Sequence, residues 1–283
     1  MEPNKPFYDA VRPLFGGRLS QIQVDGLRKI INYADKWGYS KENTGYILGT
    51  IKHETADWMV PIREGASRHG PDYTDAQSKR AVKSIFDKGI ISFNYAKPKG
   101  PFNQSYYGRG LVQITLMSNY KKFEDKLNEP LLSNPDLALE WSIALDIVFL
   151  GLRDGDFTGK KLGDYQFPDE YKQARVMVNS DGAKKWGGTD RIDERIARWS
   201  RQFLEALNAS ETGISPLGDD TPREGRPPAP EPPVSVSDAI PADKRSDAPD
   251  GRGYSKDDSK EDRTDGSNED EDKTGWEWIW PFS

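Results

Sequence analysis

Asn43-Thr-Gly-Tyr-Ile47-Leu-Gly-Thr-Ile51-Lys-His53-Glu54-Thr55 decides how this chain is to be read. Ile47, Ile51 and Glu54 stand at i, i+4 and i+7, so a helix near 43–55 carries Glu54 on its apolar face close to the C-terminus. A carboxylate there is expected to be hard to ionise. Burial and the negative end of the helix dipole both favour the neutral acid, as a general acid working near neutrality requires. The structural alternative is a buried glutamate paired with Lys52, Arg63 or Arg68. Ten residues on, Glu64 in Pro61-Ile-Arg-Glu64-Gly65 supplies a second carboxylate, expected on a loop just past the helix. Two carboxylates facing each other are the machinery of glycoside cleavage; taken alone, Glu64 reads as a surface residue.

Outward from this stretch the pattern stays helical. Leu27, Ile30, Ile31 and Ala34 follow the i, i+3, i+4, i+7 template, with Ser20 as N-cap and Gly38 as the residue after the last turn. Further helices are expected near 76–87, 135–152, 168–178 and 190–208, the last carried by Ile192, Ile196, Trp199, Phe203 and Leu207. Strand-like alternation is scarce. Between Lys88 and Thr115, glycines and prolines interrupt aromatic residues, which reads as a long structured loop or a short hairpin, and loops of that length in a compact domain are more often functional than not. The fold class expected is mainly α.

Composition divides the chain. Of 283 residues, 40 are Lys or Arg and 46 Asp or Glu, a net charge of −6. Residues 211–283 hold 19 acidic and 9 basic side chains and 10 of the 20 prolines, leaving 27 acidic and 31 basic in residues 1–210. An acidic, Pro-rich stretch cannot bury enough apolar surface to offset its ordering entropy. The expectation is one mildly basic globular domain over 1–210, a disordered linker over 211–274 and an aromatic peptide over 275–283, Gly-Trp-Glu-Trp-Ile-Trp-Pro-Phe-Ser.

Zero cysteine excludes disulfide scaffolds, thiolate nucleophiles and Cys-ligated zinc, and with His53 and His69 the only histidines, no metal or cofactor is expected. Gly108-Arg109-Gly110 lacks the third glycine and preceding strand of a dinucleotide loop. Residues 155–161 are one residue short of a phosphate loop. Nothing points to nucleic acid, and no Gly-x-Ser-x-Gly elbow occurs. The start, Met-Glu-Pro-Asn-Lys-Pro, shows no secretory signal, so synthesis in the cytoplasm is expected.

His53-Glu54-Thr55, followed by Tyr106-Tyr107-Gly108-Arg109-Gly110-Leu111-Val112-Gln113-Ile114-Thr115 and Asn119-Tyr120, resembles glycoside hydrolase family 19, the chitinases and related phage and bacterial endolysins. The likeness continues more weakly through Met177-Val178-Asn179 and the helix with Arg195. It implies a lysozyme-like helical fold with a cleft between two lobes. The activity it implies is single-displacement, inverting hydrolysis of β-1,4-linked N-acetylated aminosugars. On that resemblance Glu54 is the general acid, Glu64 the general base and Thr115 the residue that positions the water. Gln113 and Asn119 contact sugar, while Asn179 and Arg195 line the far side of the cleft, against a helix cap and a surface ion pair as alternatives. Amides read N-acetyl groups and Tyr107 can stack on a sugar face. His53 and Arg109 are expected to be structural, Arg109 because its fork can bind several carbonyls at once.

The chain departs from plant chitinases in lacking cysteine and in showing Asn179-Ser180-Asp181-Gly182 where they carry Asn-Gly-Gly-x-Glu. That favours an endolysin of phage or prophage origin acting on peptidoglycan after release to the wall, with chitin as the other substrate. A lytic transglycosylase would use one carboxylate. From another class, a non-catalytic saccharide-binding or virion protein would not need an intact His-Glu-Thr. The Trp-rich end is expected to dock on a membrane surface or on a protein that controls release.

Overall fold

The computed structural model describes residues 3–186 and 190–209. The expected linker and terminal peptide, 211–283, lie outside these. Among the described residues there are seven α-helices: α1 Lys5–Val11, α2 Gln21–Trp37, α3 Lys41–Glu54, α4 Asp75–Asp87, α5 Met117–Leu127, α6 Trp141–Asp154 and α7 Ile192–Ala209. Two antiparallel pairs of two-residue strands complete them, β1 Ile62–Arg63 with β2 Arg109–Gly110 and β3 Lys185–Trp186 with β4 Asp190–Arg191. The protein is mainly α, and none of the described helices is long and apolar enough to cross a membrane.

Local chemistry sets the helix ends. Ser20 accepts from the Gln23 N–H while the Gln23 side chain returns to the Ser20 N–H, and Thr74 and Gln77 repeat this box at α4. Each such cap contributes about 1 kcal/mol. Gly38 ends α2 at φ 72°, in the left-handed region that glycine reaches without a Cβ clash.

α3 is the central element, buried from Thr44 to Glu54. It can be buried all round because α7 lies against it at Gly49, where a Cβ would come within 2.4 Å of Ser200 Oγ. α1 covers α7 in turn. Most apolar side chains of α2, α3, α6 and α7 form one core. Two satellites sit apart from it: Val60, Ile62 and Ala66 around β1, and Val82, Ala96 and Tyr107 beneath the 88–108 segment.

Two expected helices need correction. The helix foreseen over 135–152 is broken: Pro135–Leu139 is a 3₁₀ turn, Glu140 is extended, and α6 begins at Trp141. The break lets Asp136 accept from both Arg63 and Arg109, while the Ala138 carbonyl packs against Gly110. Residues 168–178 hold only a 3₁₀ helix over Gln173–Met177; its tighter winding turns Ala174, Arg175 and Met177 all inward, and the buried ion pairs of Arg175 override helix propensity. α1 and α5 have no counterpart among the expected helices.

Candidate active site

Glu54 closes α3 and is 1% exposed. Arg175 Nη1 donates to its Oε1 at 2.5 Å. The same guanidinium grips Asp181 bidentately, Nε to Oδ1 at 2.7 Å and Nη2 to Oδ2 at 3.0 Å. Asn179 Nδ2 donates to Asp181 Oδ2 at 3.3 Å, and its Oδ1 is buried without a hydrogen-bond partner. The alternative of a glutamate paired with Lys52, Arg63 or Arg68 named the wrong cations: the partner is Arg175, which sequence reasoning missed. Arg175 sits among Ala174, Met177 and Val178 with no local sign of its partner.

The other cations stand around this cluster. Burial pushes His53 well below the ordinary imidazole range, and Arg175, Arg195 and Lys52 add to that, so the ring is neutral near pH 7. Lys52, itself buried, pairs with Asp57 and lies over the rings of Trp199, at 4.3 Å, and Phe15, at 4.7 Å. Arg195 is half-buried near the Trp199 ring. Arg175, which hydrogen-bonds Glu54, was not among the residues picked out by sequence.

The chain between the two glutamates is strained. Ala56, Asp57 and Met59 have φ of 47°, 72° and 57°, each costing roughly 1–2 kcal/mol for a non-glycine residue. Thr55 holds the turn by donating to the Ile51 carbonyl and accepting from the Met59 N–H, and Gln23 Nε2 donates to the Asp57 carbonyl. The segment thus reverses within a few residues and delivers Glu64 to a strand end, not to a free loop.

β1 pairs with β2 in the register Ile62 to Gly110 and Arg63 to Arg109, and the Glu64 N–H extends it by donating to the Gly108 carbonyl at 2.7 Å. The Gly108 N–H donates back to Glu64 Oε2 at 2.8 Å, and the Tyr95 hydroxyl donates to Oε1 at 2.5 Å. Burial raises the Glu64 carboxyl above its ordinary value, opposed by these two hydrogen bonds and by Arg109. A Cβ on Gly108 would meet Gln113 Oε1 at 3.0 Å and Glu64 Oε2 at 3.2 Å, so this glycine allows the close approach. Tyr95 was also missed by sequence, being one aromatic among several in the 88–108 segment.

Arg109 braces the adjoining loop. It is 3% exposed, donates from Nε to Asp136 and from Nη1 to the Ser105 and Tyr107 carbonyls and the Tyr120 hydroxyl, and its guanidinium carbon lies 3.7 Å from the Tyr107 ring centre. Gln113, at φ 53°, donates from Nε2 to the Ile62 and Gly110 carbonyls, and its Oε1 is buried without a hydrogen-bond partner. Thr115 Oγ1 donates to the Gln113 carbonyl, and Asn119 Nδ2 donates to that of Thr115. Tyr107 is fully buried, its ring against Arg109 and its hydroxyl on Asp75, so in this structure it offers no open face to a sugar.

The structure therefore gathers the predicted residues into two buried sets, one around Glu54 with His53 and Asn179, the other around Glu64 with Arg109, Gln113, Thr115 and Asn119. A separate cavity of about 340 Å³, lined by Trp141, Arg63, Val60 and Pro61 among others, contains neither glutamate. Among the described residues no group of three or more acidic or histidine side chains is placed to hold a metal ion.

No family model matches the chain, and no curated protein matches it. Among solved structures it is similar to chitinase C from Streptomyces griseus HUT6037, at 19% identity and a TM-score of 0.44, covering 72% of this chain and 95% of that one. It is also similar to a bacterial family 19 chitinase, at 21% identity and a TM-score of 0.32, covering 77% and 98%.

Proposed function

We propose that this chain is an endolysin-like glycosidase that cleaves β-1,4 bonds between N-acetylated aminosugars of peptidoglycan by single displacement with inversion. The observation that carries this is the pair of buried glutamates within the His-Glu-Thr and Tyr-Gly-Arg-Gly framework, each held by its own donors. Asp181 shares the Arg175 guanidinium with Glu54, so a single cation serves two buried carboxylates, and in this reading Glu54, at the end of α3, is the one that carries the proton as the acid. Glu64 accepts from both Tyr95 and Gly108, an arrangement that suits an ionised base. The proton of the attacking water passes to Glu64, the water oxygen bonds the anomeric carbon, and the Glu54 proton goes to the departing sugar oxygen.

Gln113 and Asn179 each keep an amide oxygen free of protein donors, which suits acceptance from an acetamido N–H or a sugar hydroxyl. The mildly basic 1–210 region suits an anionic wall polymer. The Trp-rich residues 275–283 serve in this reading as a reversible docking peptide, for the inner membrane face or for a protein that controls release.

Assay of wild type, Glu54→Gln and Glu64→Gln on purified peptidoglycan and on colloidal chitin tests the proposal. Each variant is expected to lose on the order of 10²–10⁴ in turnover while remaining folded. NMR of the freshly released sugar should show the α-anomer. Near-wild-type lysis by Glu54→Gln would refute the mechanism, and turnover of chitin alone would move the substrate.

A further inference from the structure

The two partners of Glu64 differ in kind. The Gly108 N–H, 2.8 Å from Oε2, can only donate, so it holds Oε2 as an acceptor throughout. The Tyr95 hydroxyl, 2.5 Å from Oε1, can donate to a carboxylate and, with its hydrogen turned away, accept from a carboxylic acid. A proton on Glu64 therefore belongs on Oε1, where the only partner able to serve both states already sits.

The tyrosine is built in rather than lying on the surface. Its ring packs against the cluster of Val82 from α4, Ala96 and Tyr107, with Phe93 edge-on at 5.8 Å. Burial, followed by the Glu64 charge, raises its phenol well above the ordinary range, so it keeps its proton at any working pH. The other charged group that acts on Glu64 is Arg109 of β2, which favours the carboxylate; the phenol of Tyr120 of α5, bonded to Arg109, is itself raised by burial and, less, by the Glu64 charge. Neither of these bonds the carboxyl.

We infer that Tyr95 is a positioning residue for Glu64: its hydroxyl fixes Oε1 while the carboxylate is ionised and accepts from Oε1 once Glu64 has taken the proton of the attacking water. The role of Glu64 as base rests on the function proposed above; the Tyr95–Glu64 coupling does not. In each turnover the water O–H bond breaks, its proton moves to Glu64, and its electron pair forms the new bond to the anomeric carbon. Tyr95 gains and loses nothing; only its hydrogen turns. The hydrogen bond to the ionised form is charge-assisted and the stronger of the two. Its removal therefore favours the protonated acid.

The test uses the full chain with ¹³C-labelled glutamate carboxyls, as wild type, as Tyr95→Phe, and with Tyr95 replaced by 3-fluorotyrosine. Phenylalanine keeps the ring packing and removes the hydroxyl, so the Glu64 titration midpoint should rise by about one pH unit, the usual worth of one hydrogen bond. The fluorinated phenol, a stronger donor, should lower it. On peptidoglycan the acid limb of kcat/KM should move with the midpoint, and kcat should fall more than KM changes. An unchanged midpoint in both variants would overturn the inference, even with activity lost, because a merely structural tyrosine would behave that way. A moved midpoint with a stationary acid limb would support the coupling and refute Glu64 as the base.

Discussion

Arg175 Nη1 meets Glu54 Oε1 at 2.5 Å across 121 residues of chain, and neither side chain is more than 2% exposed. The same guanidinium is bidentate on Asp181, so one cation organises two buried carboxylates. Breaking such a pair from one side leaves uncompensated charge in a poor solvent. Arg175→Met should therefore lose about 3–5 kcal/mol of stability in urea denaturation at pH 7. Adding Asp181→Asn to it should recover part of the loss, since that buried carboxylate is the charge left without its cation. Additive losses would mean that the contact is energetically idle.

Glu64 makes the opposite kind of contribution. Burial raises its carboxyl above the ordinary value of 4.5, so the folded protein holds that proton more tightly than the unfolded chain does. The resulting stability is complete below 4.5 and is lost as pH rises through the higher folded-state value. Glu64→Gln carries no charge at any pH. It should melt above wild type near pH 7, with the advantage vanishing by about pH 4, in calorimetric scans across that range. A lower melting temperature than wild type at pH 7 would show that the Tyr95 and Gly108 hydrogen bonds outweigh burial.

Arg109 spreads its donors over Asp136, two backbone carbonyls and the Tyr120 hydroxyl. Lysine has a single nitrogen and cannot reach all of them. Arg109→Lys should cost about 2 kcal/mol or more and reduce activity too, because the loop it braces carries Gln113 and Thr115. Lost activity with an unchanged melting temperature would instead make Arg109 a direct substrate contact.

The last eight residues carry Trp276, Trp278, Trp280 and Phe282 after an acidic, Pro-rich stretch. A chain ending at Ala209 should hydrolyse purified peptidoglycan as the full chain does, but should differ in co-sedimentation with anionic vesicles or in the timing of lysis in cells. Identical behaviour in both would leave the docking role without support.

What the sequence determined by itself is what depends on neighbours within about one helical turn. Ser20 and Gly38 bound α2 as expected, because capping is settled by residues i and i+3 and by one left-handed glycine. The period of Ile47, Ile51 and Glu54 likewise placed Glu54 at the buried end of α3. The framework around Gly108, Arg109 and Gln113 was legible as a motif, yet its geometry was not: Tyr107 is sealed against Arg109, and both amide hydrogens of Gln113 are spent on backbone carbonyls. Tertiary structure alone decided the partners of the glutamates. Tyr95 reaches Glu64 across 31 residues and Arg175 reaches Glu54 across 121, and neither carries a local mark of its destination. Nor could propensity foretell that 173–177 would wind as a 3₁₀ helix or that 135–152 would break at Glu140. Helix propensity is worth a few tenths of a kcal/mol per residue, whereas a buried charge left without its partner costs several, so the long-range ion pairs set the local backbone.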